Sequence, residues 1–312
     1  MLNVLDISLF LSVAAGALRA STPVVYAGLG ELIGERSGVV NLGVEGLMLV
    51  GACAAASAQL AYGYWPLSLA IAAVAAALVS AVHGFFCVYI RTNQVVTGLA
   101  TMFLCQGATA LMGRSLVGLS IPLDARPPLA SFAKLPVVGA VLSGQDWMVF
   151  GAIAAVVATS AFLYRTQGGI VLRACGESGA SAAAVGISVL RVRLAAGAAC
   201  GALCGLGGAH MSIFYAQQWQ EGMVGGRGWI ALVMVIFGQW FPSRLLLGAY
   251  LFGGMASLQL NLQARGVATS QYLLAMLPFL ATLALLVIGS LNSARVGGAS
   301  PADLGRPLEP QA

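Results

Sequence analysis

Long apolar runs dominate the chain and divide it into segments of membrane-crossing length. A helix needs about 20 mostly apolar residues to cross a bilayer. The runs that meet this requirement are residues 40–61, 67–90, 95–112, 147–164, 194–215, 245–263 and 272–291. They are continuous rather than alternating, so they predict helices and not the strands of a membrane β-barrel.

Two further apolar segments are less regular. Residues 4–34 contain Arg19 and Pro23, and the proline predicts a break in the helix. Residues 229–241 are short and end where a proline follows. The hydrophobic pattern therefore predicts an all-α polytopic transmembrane bundle with about 8–10 membrane segments, which occupies residues 1–291.

The composition excludes a soluble domain. Apolar residues make up 59% of the chain and charged residues 8%, and the mean hydropathy is +0.91. An ordinary soluble domain is about 45–50% apolar and about 25% charged, so this chain has too few charges to cover a water-facing surface. Disordered chains are poor in apolar residues, which excludes disorder as well.

The sequence lacks the motifs of several kinds of site. Lys134 is its single lysine, so no GxxxxGK[ST] phosphate-binding loop can form. His83 and His210 lie far apart and no zinc-binding spacing occurs, so no metal site is expected. The six cysteines lie mostly in apolar runs, where cysteine behaves as a small hydrophobic residue. Nor does any feature indicate a nucleic-acid partner.

The longest polar connection, residues 165–193, holds four arginines and one glutamate. Basic residues favour the cytoplasmic side of a membrane, so we place this loop there, which puts the N-terminus outside. Within it Gly176 and Gly186 bracket a run of good helix formers and predict a short helix over 177–185. A loop that only joined two spans could be far shorter.

Two other segments differ from the spans. Residues 115–146 are rich in proline and predict an outer cap or a re-entrant segment. Residues 292–312 are rich in Gly, Pro and Ser and predict a disordered tail.

Glycine recurs every four residues at Gly197, Gly201 and Gly205. Such a stripe lets another helix backbone come close, either as a static packing seam or as a sliding surface in a moving transporter. We favour the packing seam.

Several polar residues lie in or beside the spans. Glu45 is a candidate functional carboxylate, although Asn41 could cap the helix start and Glu45 could interact with its dipole. Glu31 and Glu35, beside Arg36, predict an interfacial charge cluster.

The stretch 215–221 combines aromatic and amide side chains, as an aromatic belt at the interface would. It would also suit the mouth of a pathway for a neutral, hydrogen-bonding solute. The candidate pathway residues are Asn41, Glu45, Gln106, Gln217 and Trp219.

Three stretches carry a resemblance to a known family. Residues 30–52, which include ERSGVVNLGVEG, residues 172–209 and residues 226–263 resemble permease subunits of ATP-binding cassette (ABC) importers for sugars, branched-chain amino acids and nucleosides. ERSGVVNLGVEG and FGGMASLQLNLQ are most similar to the nucleoside or purine subgroup. The chain departs from the family at 178–180, where Ser-Gly-Ala replaces a common Asn with Pro or Arg.

The resemblance implies a pathway for a small polar solute, a nucleoside or purine, with a simple sugar or a branched-chain amino acid as the alternative. It implies that loop 165–193 is the cytoplasmic coupling loop. A separate ATPase, which uses the ATP while this chain binds no cofactor, would dock there. The residues assigned to that contact are Arg173, Gly176, Glu177, Ala182 and Gly186.

The same resemblance implies a second permease subunit, as a heterodimer rather than a homodimer, and a periplasmic or lipoprotein solute-binding protein. The location it implies is the bacterial inner membrane. An ion-coupled secondary transporter is the rival hypothesis, and it would need a carboxylate near the membrane centre. The four aspartates lie outside the predicted spans or at a chain end, which disfavours this rival: Asp6, Asp124, Asp146 and Asp303.

Overall fold

The computed structural model describes residues 7–121, 123, 137–266, 270–293 and 300–306. These residues form helices and no β-strand beyond two isolated bridges. The α-helices are α1 (Ile7–Arg36), α2 (Val44–Tyr62), α3 (Trp65–Val88), α4 (Gln94–Met112), α5 (Val138–Leu142), α6 (Trp147–Arg165), α7 (Gln167–Glu177), α8 (Gly179–Ala184), α9 (Val189–Ala209), α10 (Arg227–Phe237), α11 (Pro242–Ala264) and α12 (Gln271–Ser293). A 3-10 turn (Gly113–Leu116) follows α4, and a π-helical segment (His210–Tyr215) follows α9.

The predicted all-α membrane bundle is confirmed. Among the described residues, 7 helices are long and apolar enough to cross a bilayer: α1, α2, α3, α4, α6, α9 and α11. Two shorter apolar helices, α10 and the stretch Tyr272–Ala284 of α12, account for the remaining predicted segments. The proline-rich part of the predicted outer cap, 124–136, lies outside the described residues, and so does Lys134.

The predicted break in the first segment is wrong, because α1 runs without interruption through Pro23. The hydroxyl of Thr22, the residue before the proline, donates a 2.8 Å hydrogen bond to the Leu18 carbonyl one turn earlier in the helix. Nearly every residue from Ala20 onward is buried by the surrounding helices. Tertiary packing therefore holds the helix together where its local sequence favours a break.

The glycine stripe of α9 packs against α3. A Cβ atom at Gly201 would lie 2.5 Å from the carbonyl oxygen of Ala76, and one at Gly205 would lie 2.5 Å from that of Ala72. Gly197 has more space, since its nearest neighbour would be 3.9 Å away. The two helix backbones therefore approach most closely near Gly201 and Gly205, where only glycine fits.

The predicted interfacial charge cluster is wrong, since Glu31 is 0% exposed and Glu35 is 4% exposed. The backbone N–H of Asn41 donates to Glu31 at 2.9 Å, and the Trp240 indole N–H donates to Glu35. Glu31 thus supplies the hydrogen-bond acceptor for a buried backbone N–H in the connection from α1 to α2. Asn41 does not cap α2, because its side chain accepts from the N–H of Gly43 at 2.8 Å.

The C-terminal residues also differ from their prediction. Within the predicted disordered tail, α12 extends to Ser293, and residues 300–306 form a turn packed on the bundle. We call residues 300–306 the C-terminal turn. Its Leu304 packs against the main hydrophobic core, and the N–H of Gly305 donates to the Gly38 carbonyl at 3.2 Å. These contacts order a segment whose composition alone favours disorder.

Candidate functional site

The loop 165–193 contains two helices, α7 and α8, rather than the one predicted over 177–185. Ser178 separates them, and its hydroxyl caps α8 by accepting from the N–H of Ser181 at 3.2 Å. Gly176 lies inside α7 and terminates no helix, so that part of the prediction is wrong. Gly186 does follow α8, with the positive φ of +87° that favours glycine there.

The predicted ATPase-contact residues divide between two faces of this helix pair. Gly176 and Ala182 are buried against the bundle, where Gly176 meets the backbone of Arg36 and Gly38. Glu177 and Gly186 are exposed. The exposed face of the pair consists of Glu177, Ala180, Ser181, Ala184, Val185 and Gly186. We call these residues the coupling face.

Arg173 is half-buried, and its guanidinium lies 5.1 Å from the centre of the Tyr164 ring. This distance is that of a cation–π contact. Arg173 therefore packs α7 against the end of α6, and its assignment to the ATPase contact stays a prediction.

Arg193 ties the helix pair to the bundle. Its side chain is 2% exposed, and it donates to the carbonyls of Ser37 at 3.0 Å and Cys175 at 3.1 Å. Burial raises the pKa of the Cys175 thiol, and the nearby Arg193 charge lowers it by less. From the sequence, Arg193 is only one of the basic residues that indicate orientation, because a partner such as Ser37 lies 156 positions away along the chain.

Glu45 caps a helix other than its own. One carboxylate oxygen accepts from the N–H of Gly226 and the other from that of Gly228, each at 2.7 Å. Both donors lie at the start of α10, whose N-cap Gly226 has no side chain to offer. Glu45 does lie near the start of its own helix, as predicted, but its partner is the start of α10, which the sequence does not indicate.

The remaining candidate pathway residues fall into two groups. Asn41 and Trp219 are buried, and the Trp219 ring packs against Gly113. Gln106 and Gln217 are exposed. The exposed amides Gln106, Gln217, Gln218 and Gln220 form what we call the amide surface.

The amide surface is built by α4 and the segment after the π-helical turn. Gln217 lies at a positive φ of +52°, and its side chain donates to the Leu123 carbonyl at 2.7 Å. The backbone of Gln218 pairs with Ser120 in an isolated bridge, which fixes this segment beside the end of α4. Gln106 lies on α4, about two helical turns and about 10 Å before Gly113. The exposed amides therefore come from two parts of the chain: Gln217, Gln218 and Gln220 follow the π-helical segment beside the end of α4, and Gln106 lies further along that helix.

A buried ionisable pair lies at the start of α6. His210 Nε2 and Asp146 Oδ2 are 3.3 Å apart, and Asp146 also caps α6 through the N–H groups of Met148 and Val149. Burial alone raises the pKa of Asp146, but His210, the Val149 N–H and Arg19 together hold it below its ordinary value. The local sequence does not predict this pair, because the two residues are 64 positions apart.

Sequence comparison agrees with this architecture. Residues 13–289 match the permease component of branched-chain amino acid transport systems. A putative glucose ABC transporter permease of Haloferax volcanii is 39% identical over 83% of this chain and 81% of its own length. A guanosine ABC transporter permease of Bacillus subtilis is 32% identical, over 81% of this chain and 83% of its own.

A nucleoside ABC transporter permease of Lactococcus lactis is 30% identical over 79% of this chain and 81% of its own length. The match to the family begins near the start of α1 and ends within α12, so it includes the other six membrane-length helices in full. The chain therefore belongs to the branched-chain amino acid transport system permease family, as a multi-pass ABC transporter permease of the cell membrane.

Proposed function

We propose that this chain is the permease subunit of an importer and forms part of the pathway for a small uncharged polar solute, in the first place a nucleoside. The observation that carries the proposal is the amide surface. An exposed amide on a membrane helix such as α4 is costly against lipid, so Gln106 is better placed against a water-filled path or a second subunit.

A nucleoside suits this surface chemically. Amide side chains both donate and accept hydrogen bonds, as the base edges and ribose hydroxyls require. Tyr215, at the end of the π-helical segment, shortly precedes the exposed glutamines along the chain, and its aromatic ring lies 6.0 Å from the Arg19 guanidinium. An aromatic ring could also pack against the base of a nucleoside. Two relatives named for guanosine and nucleosides support this choice.

Glucose is the second candidate solute. The relative named as a putative glucose permease is 39% identical to this chain, against 32% and 30% for the two named for guanosine and nucleosides. Amide side chains can also hydrogen-bond the hydroxyls of a sugar. A branched-chain amino acid is the third possibility, which the family description supplies.

The energy for import would come from a separate ATPase, since the sequence has no phosphate-binding loop. The coupling face is the docking surface that we propose. It presents small side chains together with Val185, which is 76% exposed, and one carboxylate at Glu177. ATPase closure would then displace α7 and α8 and shift the bundle between outward-open and inward-open states.

Two more partners complete the proposal. A second permease subunit, different from this one, would share the pathway, and a periplasmic or lipoprotein solute-binding protein would deliver the solute. Exposed apolar side chains on α3 and α4, such as Val82, Phe103 and Leu104, offer surface for that subunit as well as for lipid.

The test is uptake by the complete transporter in liposomes, with this chain, its ATPase, the second permease subunit and the binding protein. ATP-dependent uptake of labelled guanosine is expected, with unlabelled nucleosides competing more strongly than glucose or leucine. Stronger competition by glucose would favour the second candidate, and dominant competition by leucine would overturn both.

Variants sharpen the test. Replacing Gln217 and Gln218 together by Ala is expected to weaken guanosine competition while the complex stays assembled. The matched control is Gln167→Ala, an exposed glutamine at the start of α7. If guanosine competition weakened equally in Gln167→Ala, the amide surface would no longer support a nucleoside as the solute.

A further inference from the structure

The C-terminal turn holds the junction between α7 and α8 on both sides. The backbone N–H of Asp303 donates to the carbonyl of Gly176 at 2.9 Å, in the last turn of α7. The Asp303 carboxylate accepts from the N–H of Gly179 at 2.7 Å, at the first residue of α8. One residue thus bonds the end of one helix and the start of the next.

The same carboxylate pairs with the buried Arg193. Arg193 Nη2 and Asp303 Oδ2 are 3.8 Å apart, and Arg193 Nη1 donates to the Arg306 carbonyl at 3.4 Å. Arg193 also donates to Ser37 and Cys175, so it lies between the bundle, α7 and the C-terminal turn. A guanidinium that is 2% exposed needs a partner charge, since an unpaired buried charge is costly.

The turn is also anchored on the connection from α1 to α2. Gly305 donates to the Gly38 carbonyl at 3.2 Å, and a Cβ at Gly305 would lie 3.8 Å from the Val40 side chain. Gly38 is in turn packed against the Arg193 guanidinium. One connected set of polar contacts therefore links α8 to the α1–α2 connection and to Arg193 of α9.

We propose that Asp303 is a positioning residue for energy coupling: with Arg193 it fixes the α7–α8 junction to the α1–α2 connection, so that movement imposed on α8 is passed to the bundle. This inference rests on the proposed ATP-driven function. The turn lies behind the helix pair, and the coupling face stays exposed for the ATPase. Asp303 therefore acts on transmission and not on docking.

The experiment measures solute uptake and ATP hydrolysis together, in liposomes with the complete transporter. Labelled guanosine and labelled glucose are the probes. Asp303→Ala removes both side-chain contacts and is expected to lower the solute taken up per ATP hydrolysed by about fivefold or more, the lower end of ordinary coupling between two sites. Asp303→Asn, which keeps an oxygen for Gly179 but no charge for Arg193, is expected to fall between Asp303→Ala and the wild type.

The matched control is Arg306→Ala, because the contact of Arg306 with Arg193 uses its backbone carbonyl and the substitution keeps it. It is expected to leave the uptake-to-hydrolysis ratio unchanged. Assembly is checked by size-exclusion chromatography of each complex before the liposomes are made.

The outcomes separate this inference from the proposed function. No ATP-dependent uptake of either probe by the wild type would count against the proposed function itself. Wild-type uptake with an unchanged ratio in Asp303→Ala, or a parallel fall of uptake and hydrolysis, would overturn the role of Asp303. Loss of the assembled complex in both Asp303 variants would assign the residue to folding and would overturn it too.

Discussion

The carboxylate of Glu45 accepts a 2.7 Å hydrogen bond from the backbone N–H of Gly228, so the first turn of α2 caps the start of α10. Helix α10 has 11 residues and rises about 16 Å, too little to cross a bilayer. Its first N–H groups therefore lie inside the bundle and need a partner there. Glu45 supplies this partner, although it lies 183 positions from Gly228 along the chain.

Replacing Glu45 by Ala is expected to destabilise the protein by about 1–2 kcal/mol, the upper part of the range for loss of a helix cap. Glu45→Gln keeps oxygen acceptors and should lose less. Thermal unfolding of the detergent-solubilised chain measures the effect. The control is Glu221→Ala, at an exposed glutamate, and equal melting shifts for Glu45→Ala and Glu221→Ala would contradict the capping role.

Two glycines of the same stripe are expected to respond differently to alanine. At Gly201 a methyl group would lie 2.5 Å from the Ala76 carbonyl oxygen, and such overpacking costs about 1–3 kcal/mol. At Gly197 the nearest atom would be 3.9 Å away, so Gly197→Ala should be neutral or stabilising by up to about 1 kcal/mol through helix propensity. Melting temperatures in one detergent compare the two variants, and similar shifts would refute close packing at Gly201.

Substitutions at Arg173 and Val185 are expected to distinguish an effect on stability from an effect on ATPase docking. Arg173→Ala removes a cation–π contact with Tyr164 and should cost about 0.5–2 kcal/mol of stability. Val185→Asp, at an exposed position, should change stability by less than about 0.5 kcal/mol. The second substitution should nevertheless weaken ATPase binding, because a carboxylate there would be desolvated on docking.

Co-purification of the ATPase with each variant, together with its melting temperature, makes this distinction. Full ATPase recovery with Val185→Asp would show that the coupling face is placed wrongly. Gln167→Glu, at an exposed position of α7 outside the coupling face, serves as the control for an added charge elsewhere on the loop.

Acid is expected to destabilise the protein partly through Asp146. The pKa of Asp146 is lower in the folded chain than in the unfolded one. Its contribution to stability is therefore fully present above the pKa of the unfolded chain, about 4. This contribution is lost as the pH falls through the pKa of the folded chain. Asp146→Asn should therefore be less stable than the wild type at pH 7 and should show a shallower loss below about pH 4. The measurement is the stability of both proteins as a function of pH, and an equal loss of stability with acid in the two would contradict the role of Asp146.

The membrane helices were predictable because apolar length is a local property of the sequence. Pro23 shows where local information fails: the break that it favours is overridden by the helices packed around residues 20–36 of α1. The burial of Glu31 and Glu35 was missed for a related reason. Among their partners are Asn41 and Trp240, and Trp240 lies 205 positions from Glu35.

The loop 165–193 is distinguished in the sequence by its charges and length, but its division into α7 and α8 was not predicted. Ser178 ends α7 and caps α8, and a serine cap is a local signal that the sequence could have shown. Asp303 gave no such signal. It lies in a stretch whose composition favours disorder, and only its contacts with Gly176, Gly179 and Arg193 reveal its place.

The cap on α10 also has a consequence for selectivity against anions. The start of a helix is a ready binding site for phosphate, but here a carboxylate already occupies the N–H groups of Gly226 and Gly228. A phosphate group at the start of α10 would meet Glu45 as a like charge and would find these two N–H donors already bonded. The start of α10 is therefore closed to anions, although its backbone geometry would otherwise suit them.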